Sequence, residues 1–387
     1  MSHEWQNPFP DGRFGVRDIV DTTTGNQIIR PDLAALDDFA NPASIELTAA
    51  RYGLAAEQVA RLDANENPYG CSLRVQEALA TFDGYHHQPD PLQRELRTLL
   101  ERYCGYSRER ILVGSGDELL GVLIRAVCAP GDALIVCPPG SEPAPDVTAL
   151  AGVEVISVPR NERFALDADA VLAAISPRTR LLIVASPSDP GGTTLDPATA
   201  VRLLQSGVLL VVDETWFEFA AQSLAPLTAE FSNLVVLRSF GAWAGLSGLA
   251  VSYGIFPREL VRHLLKLRPG HNLSVAATLA VAATLDGLAE VMYSVKRLRL
   301  ERGRLYRRLR KFNFLQPCLS QGPSLLCKVT RGDAYQLKVA LEQRGVFVRY
   351  LPTLSDYLCI SVGRAEDTDA LLQALLAVVP AADLLES

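Results

Sequence analysis

Lysine is almost missing from this 387-residue chain. Of its 37 basic residues only five are lysines, at 266, 296, 311, 328 and 338. Any site assembled from the first 265 residues therefore lacks a lysine amine. Other absences narrow the class further. No apolar run approaches the ~18 residues that a membrane span requires, so no membrane is expected as a partner. The opening MSHEWQNPFPDG has no basic segment followed by an apolar stretch, so a secretory leader is not expected. The seven cysteines (71, 104, 128, 137, 318, 327 and 359) are odd in number and form no CxxC pair. That pattern points to reduced thiols in the cytoplasm and to no zinc site. His86 and His87 adjoin, and neighbouring histidines point in different directions in most backbones, so they read as a solvated loop rather than a metal site. A formal net charge of −7 argues against nucleic acid as a partner.

What is abundant is short, continuous apolar runs. ILV (111–113), ALIVC (133–137), VEVISV (153–158), LLIVAS (181–186), VLLVVDE (208–214), LVVLRSF (234–240) and LAVSYGIF (249–256) alternate with helix-like stretches such as DELLGVLIRAVCA and PATAVRLLQSG. Runs that do not alternate polar with apolar suit strands buried on both faces. Their alternation with helices predicts an α/β fold with a mixed, mostly parallel seven-stranded sheet. Beyond Pro269 the pattern predicts one long helix, or two in series, over 274–312, ending in a basic, solvated face. A smaller α+β unit then follows: PSLLCKV, a helix at 333–344, VFVRYL, YLCISVG and a helix near 366–379. The expected organisation is an arm with a short helix (1–60), a large domain (61–272), and a long helix with a small C-terminal domain (273–387).

In a parallel sheet, ligands bind at the carboxyl ends of the strands. There the chain carries GSGDELLG, PPGSEP, SPSDPGGT, DETWFEF and SFGAW, converging on one face. The glycine turn of GSGDELLG opens a helix, a geometry that offers N–H groups to an anion, so weak anion binding in the crevice is expected. Asp213 ends an intensely apolar run, where a carboxylate needs a partner. Two readings are open for it, a cap on the following turn or a counter-charge for a cationic ring nitrogen.

The ordered set LDANENPYG, QPDP, GSGDELL, SPSDPGGT, VVDETWFEF, RSFGAWAGLSGLAVSYG and YLCISVG resembles the fold-type I pyridoxal-phosphate aminotransferases. It looks most like the histidinol-phosphate group, which carries NENPYG, YPDP, GNGSDE, NPNNPTG, VVDEAYxEF, SFSKAFGLAGLRxGY and LRISVG in the same order. The likeness spans residues 31–377. It implies an aspartate aminotransferase-like fold, a homodimer, and pyridoxal phosphate as cofactor, held in the family by a Schiff base with the motif lysine.

Position by position, the resemblance places Ala242 where the lysine stands. Gly241 takes the place of the phosphate-binding Ser, Ala250 that of the Arg in GLRxGY, and Gln88 that of the Tyr in YPDP. Ser141 falls at the ring-stacking aromatic. Asp189 falls at the Asn, and Trp216 at the Tyr, that bond the ring hydroxyl. Cys359 replaces the substrate-carboxylate Arg, so that bidentate fork is gone. Asp213 matches the ring-nitrogen Asp, Asn67 lies at the substrate pocket, and Ser115, Gly116 and Asp117 form a phosphate loop about one residue shorter than the family's. The implied frame is kept while eight contact positions differ. Three functions stay open on this reading: a non-catalytic binding or regulatory homologue, an enzyme with altered acid–base chemistry (candidates Asp189, Asp213, Glu142, His86 and His87), and a transaminase holding pyridoxal phosphate without a covalent link.

Overall fold

All seven apolar runs between residues 111 and 256 form strands. The structure, a computed structural model, describes Ile29 and residues 31–34, 44–140 and 145–378. Most of the expected arm, as well as Ser141 and Glu142, lies outside these residues. The short helix Pro31–Ala34 belongs to a first compact unit, Met1–Phe39, and both sheets belong to a second, Ala40–Ser387. In chain order the described strands are β1 (Ala60–Leu62), β2 (Ile111–Ser115), β3 (Ala133–Val136), β4 (Glu154–Ser157), β5 (Thr179–Ala185) and β6 (Leu209–Asp213). They continue with β7 (Leu234–Ser239), β8 (Val251–Ile255), β9 (Leu315–Pro317), β10 (Ser324–Val329), β11 (Val346–Tyr350) and β12 (Tyr357–Ser361).

The larger sheet has the order β2-β8-β7-β6-β5-β3-β4. Only β8 is antiparallel to its neighbours, and the remaining pairs run parallel. The apolar runs are continuous because successive side chains enter cores on opposite faces. Along β5, Leu182 and Val184 join one core and Leu181 and Ile183 the other. Along β6, Leu210 and Val212 face the first and Val211 the second. The helices that cover the sheet begin on sequence-encoded caps. Asp196 accepts from the Thr199 N–H with Pro197 at the first helical position, and Ser274 accepts from the Ala277 N–H.

The stretch 274–312 forms two helices, Val275–Asp286 and Leu288–Leu309, bent by 82° at Gly287. A Cβ at Gly287 would lie 2.7 Å from Arg74 Cδ, so the bend brings a bare backbone against the helix Leu73–Thr81. No single described helix is long and apolar enough to cross a membrane.

The smaller sheet has the order β1-β11-β12-β10-β9. Two of its strands, β1 and β9, have only three residues each and carry no pattern that periodicity could detect. β1 pairs in parallel with β11, so residues 60–62 join a sheet otherwise built from residues 315–361.

Candidate active site

The crevice is built where β2, β6 and β7 end and β8 begins. After Ser239 the chain makes a turn held by its own hydrogen bonds. The Gly241 N–H donates to Ser239 Oγ at 3.0 Å, and Trp243 Nε1 donates to the Ser239 carbonyl at 2.7 Å. Ala242 lies inside this turn, 6% exposed, in a core that includes Phe240, Trp243 and Leu246, with Trp216 packed against it. Asn67 fastens the turn from outside: its Nδ2 donates to the Trp243 carbonyl at 2.9 Å, and its Oδ1 accepts from the Tyr69 N–H. At Gly245, which has φ +69°, a Cβ would come within 2.4 Å of the Gly70 carbonyl. The two loops thus meet backbone to backbone, and only glycine permits it.

Two N–H donors of the glycine loop after β2 are committed. The Ser115 N–H donates to Glu118 Oε2 at 2.9 Å, and the Gly116 N–H donates to the Ala250 carbonyl at 2.6 Å. Asn272 adds a second hydrogen bond to the Glu118 carboxylate. A carboxylate of the chain itself therefore sits at the helix start where an incoming anion would seek donors. Ala250 is exposed and has φ +49°, a strained value for a residue with a Cβ. Asp117, exposed at the same helix start, has its carboxyl raised above the ordinary value by local desolvation and then by the Asp213 carboxylate. Asp213 accepts from the Thr215 N–H at 2.9 Å and from Thr215 Oγ1 at 2.6 Å, so the turn-capping reading of this residue has a geometric basis.

The other wall holds the principal residue that sequence reading missed. Arg349 is the cross-strand partner of Cys359, on β11 against β12. Its Nη2 donates to both oxygens of Asp189 at 2.7 Å and to Cys359 Sγ at 3.1 Å. A guanidinium is therefore present beside Cys359 after all, and it is already paired. Asp189 also accepts from Asn65 Nδ2 at 3.2 Å and from Ser324 Oγ at 3.4 Å. Asn65, at φ +54°, is locked by exchange with Ser361: its N–H donates to Ser361 Oγ, which donates back to Asn65 Oδ1. The signal available in the sequence was a single arginine in the otherwise apolar VFVRY.

The structure thus gathers Asn67, Ser115, Gly116, Asp117, Asp213, Trp216, Gly241, Ala242 and Ala250 around the strand ends, with Asp189 and Cys359 on the opposite wall. Gln88 lies exposed on a separate loop. His86 and His87 are likewise exposed, their rings 3.9 Å apart, and among the described residues no group of three or more metal-ligating side chains exists. Beneath the crevice lies a buried ionic cluster. Arg238 bonds Glu214 at 2.9 Å, Tyr253 and Ser223, and stacks on the Phe217 ring. Glu218 Oε1 accepts from the Tyr103 hydroxyl at 3.0 Å.

Comparison with known proteins agrees with this architecture. A family model described as aminotransferase class I and II matches residues 57–375. The histidinol-phosphate aminotransferase of Roseiflexus castenholzii is 40% identical over 360 residues, covering 90% of this chain and 97% of that protein. The chloroplastic histidinol-phosphate aminotransferase of Nicotiana tabacum is 37% identical over 358 residues, covering 91% and 87%. Among solved structures, the histidinol-phosphate aminotransferase of Sinorhizobium meliloti in complex with pyridoxal-5'-phosphate matches with a TM-score of 0.80 at 23% identity, over 91% of this chain and 98% of that one. The Thermus thermophilus aspartate aminotransferase with maleate matches with a TM-score of 0.76 at 20% identity, over 91% and 99%. The chain has the aspartate aminotransferase-like fold of the pyridoxal-phosphate-dependent enzymes and belongs to the class I and II aminotransferase family.

Proposed function

We propose that this protein is a histidinol-phosphate-aminotransferase-like homologue that binds or regulates rather than transaminates. The observation that carries the reading is Ala242, buried in the turn where the family resemblance sets the Schiff-base lysine. No other lysine takes its place. Lys266, Lys296 and Lys311 are exposed, Lys338 pairs with Glu342, and Lys328 lies over the Tyr357 ring.

A crevice with Ala242 at the lysine position does not fit covalently held pyridoxal phosphate. A phosphate seeks N–H groups or a cation, and three candidate donors, the Ser115, Gly116 and Gly241 N–H groups, are already bound internally. Arg349, the cation on the far wall, is engaged by Asp189. For the same reason the weak anion binding expected of the glycine loop requires displacement of Glu118. Altered acid–base chemistry draws no support from Asp189, held in an ion pair, or from the exposed His86 and His87.

The test is the visible absorbance of protein incubated with excess pyridoxal phosphate, before and after borohydride. We expect no bound, reducible chromophore; a borohydride-trapped adduct in the crevice would overturn the reading. On the same footing we assign the protein to the cytoplasm, where its seven free cysteines suit a reducing environment, and to a homodimer. A monomeric mass by light scattering at micromolar concentration would remove the dimer.

A further inference from the structure

A second cavity, of about 900 Å³, opens between the two sheets. One wall comes from the loops after β3, β4 and β5, and the other from β9, β10 and the approach to β12. Phe164, which packs with Leu326 and Cys359 in the core, also lines this cleft, and the Tyr357 ring meets it edge-on at 5.7 Å. We propose that this cleft binds a small phosphate monoester with an apolar or aromatic body.

Charge carries the assignment. Among the described residues, Arg160, Arg163 and Lys328 line the cleft against one carboxylate, Glu162. Among the described lining residues, three cations less one anion leave two positive charges, in a protein whose formal net charge is −7. Arg160 is only 8% exposed, and every hydrogen bond it makes goes to a neutral acceptor. These acceptors are the carbonyls of Cys137, Phe164 and Ala185 and the hydroxyl of Thr193. Its charge is desolvated and uncompensated among the described residues, so it raises the positive potential of the cleft without needing to touch a ligand. Burial works against that charge, pulling the guanidinium below its ordinary pKa, and a bound anion would offset this cost. Arg163 is exposed, and Lys328 is half-buried over the Tyr357 ring; neither forms an ion pair with a described residue.

A phosphate monoester carries about 1.5–2 negative charges at neutral pH, which matches the excess of two. The aromatic and proline walls take an apolar body, and the volume falls within the range of small-molecule sites. Arg163 and Lys328 stand on opposite walls, so one dianion reaching both would tie the large sheet to the small one. Nothing in this assignment depends on whether the crevice transaminates.

The test is isothermal titration calorimetry of the full chain with phenyl phosphate, inorganic phosphate and benzylamine at low salt. Phenyl phosphate should bind most tightly, lose affinity as salt rises, and raise the melting temperature. Lys328→Gln and Arg163→Gln should each weaken it by ~10-fold or more, the size of a lost charge-assisted hydrogen bond. Arg349→Gln, which removes the crevice cation, should leave the affinity unchanged. Equal binding of inorganic phosphate or of benzylamine would overturn the proposal. So would affinity that falls in Arg349→Gln but not in the cleft variants, or no binding at millimolar concentration. If a variant fails to fold, the salt dependence and ligand ranking of the unaltered protein decide the matter alone.

Discussion

Asp213 and Glu214 are adjacent, yet they belong to two regions with opposite fates. Asp213 faces the crevice and is satisfied by the turn that follows it. Glu214 is 1% exposed and bonds Arg238, the Ser223 hydroxyl and the Leu224 N–H. In the lower region Arg238 is shared among Glu214, Tyr253, Ser223 and the Phe217 face. The upper region, by contrast, offers its donors to its own backbone and carboxylates. A buried ionic cluster whose partners are in place keeps the chain folded, and nothing in folding requires a reactive amine above it. The two regions therefore answer to different demands, and the difference can be tested from either side.

The largest effect should come from breaking the lower region. Arg238→Leu leaves Glu214 buried without its guanidinium, and losing one partner of a buried pair costs ~3–5 kcal/mol. Chemical denaturation should show that loss, whereas removal of the crevice carboxylate in Asp213→Ala should cost far less. Equal losses would erase the contrast.

An effect of at most comparable size separates the regions by pH. Burial pushes the Glu218 carboxyl up to about 8, against the pull of Arg238 and of its hydrogen bonds. A group with a raised folded pKa contributes its full stability below its ordinary value of 4.5 and loses it as pH climbs towards about 8. Stability should thus decline across that window, by at most ~1.4 kcal/mol per unit of displacement. It should level off above the window. Glu218→Gln should flatten the curve; an unchanged slope would show that Glu218 is not the group responsible.

The sequence made the larger sheet legible because a strand buried on both faces leaves a continuous apolar run, and each such run became a strand. β1 and β9 escaped because three residues hold no period. The turns of the crevice were legible wherever a motif fixed them: Asp213 ends β6, Gly241 and Ala242 follow β7, and Asn67 bonds the Trp243 carbonyl. Arg349 was not legible as a site residue. It stands ten positions before Cys359, and only the β11–β12 register sets the two side by side. Nor could the sequence show that the N–H groups of the glycine loop are taken, because Glu118 and the Ala250 carbonyl reach them only after folding.

That register makes the next prediction, with a smaller effect. Asp189→Asn removes the charge that holds Arg349, in a pair that is about one-quarter to one-third exposed. A partly exposed pair contributes ~1 kcal/mol or less, so folding should barely change. The freed guanidinium should then accept an external anion, seen as sulfate binding absent from the parent protein. If sulfate binds both equally, the ion pair does not close that wall.

The smallest effect expected is on activity, and it is no gain at all. Ala242→Lys returns an amine to the turn, and Asp213 remains nearby. The new side chain would enter a site that is 6% exposed among Phe240, Trp243 and Leu246, so its ammonium would be desolvated and its packing strained. A phosphate would still find the Ser115 and Gly116 N–H groups engaged, with Gly241 and Ala250 offering no side-chain donor or cation. A substrate carboxylate would meet Asp189 already on Arg349 and a thiol at Cys359. Each missing charge-assisted contact costs ~1.5–3 kcal/mol, and such losses compound when reacting atoms are also misplaced. Single-turnover assays of the Ala242→Lys protein with histidinol phosphate, glutamate and aromatic amino acids should therefore stay at background. Turnover near that of an ordinary aminotransferase would overturn the proposal that the wall of internal partners, and not Ala242 alone, bars transamination.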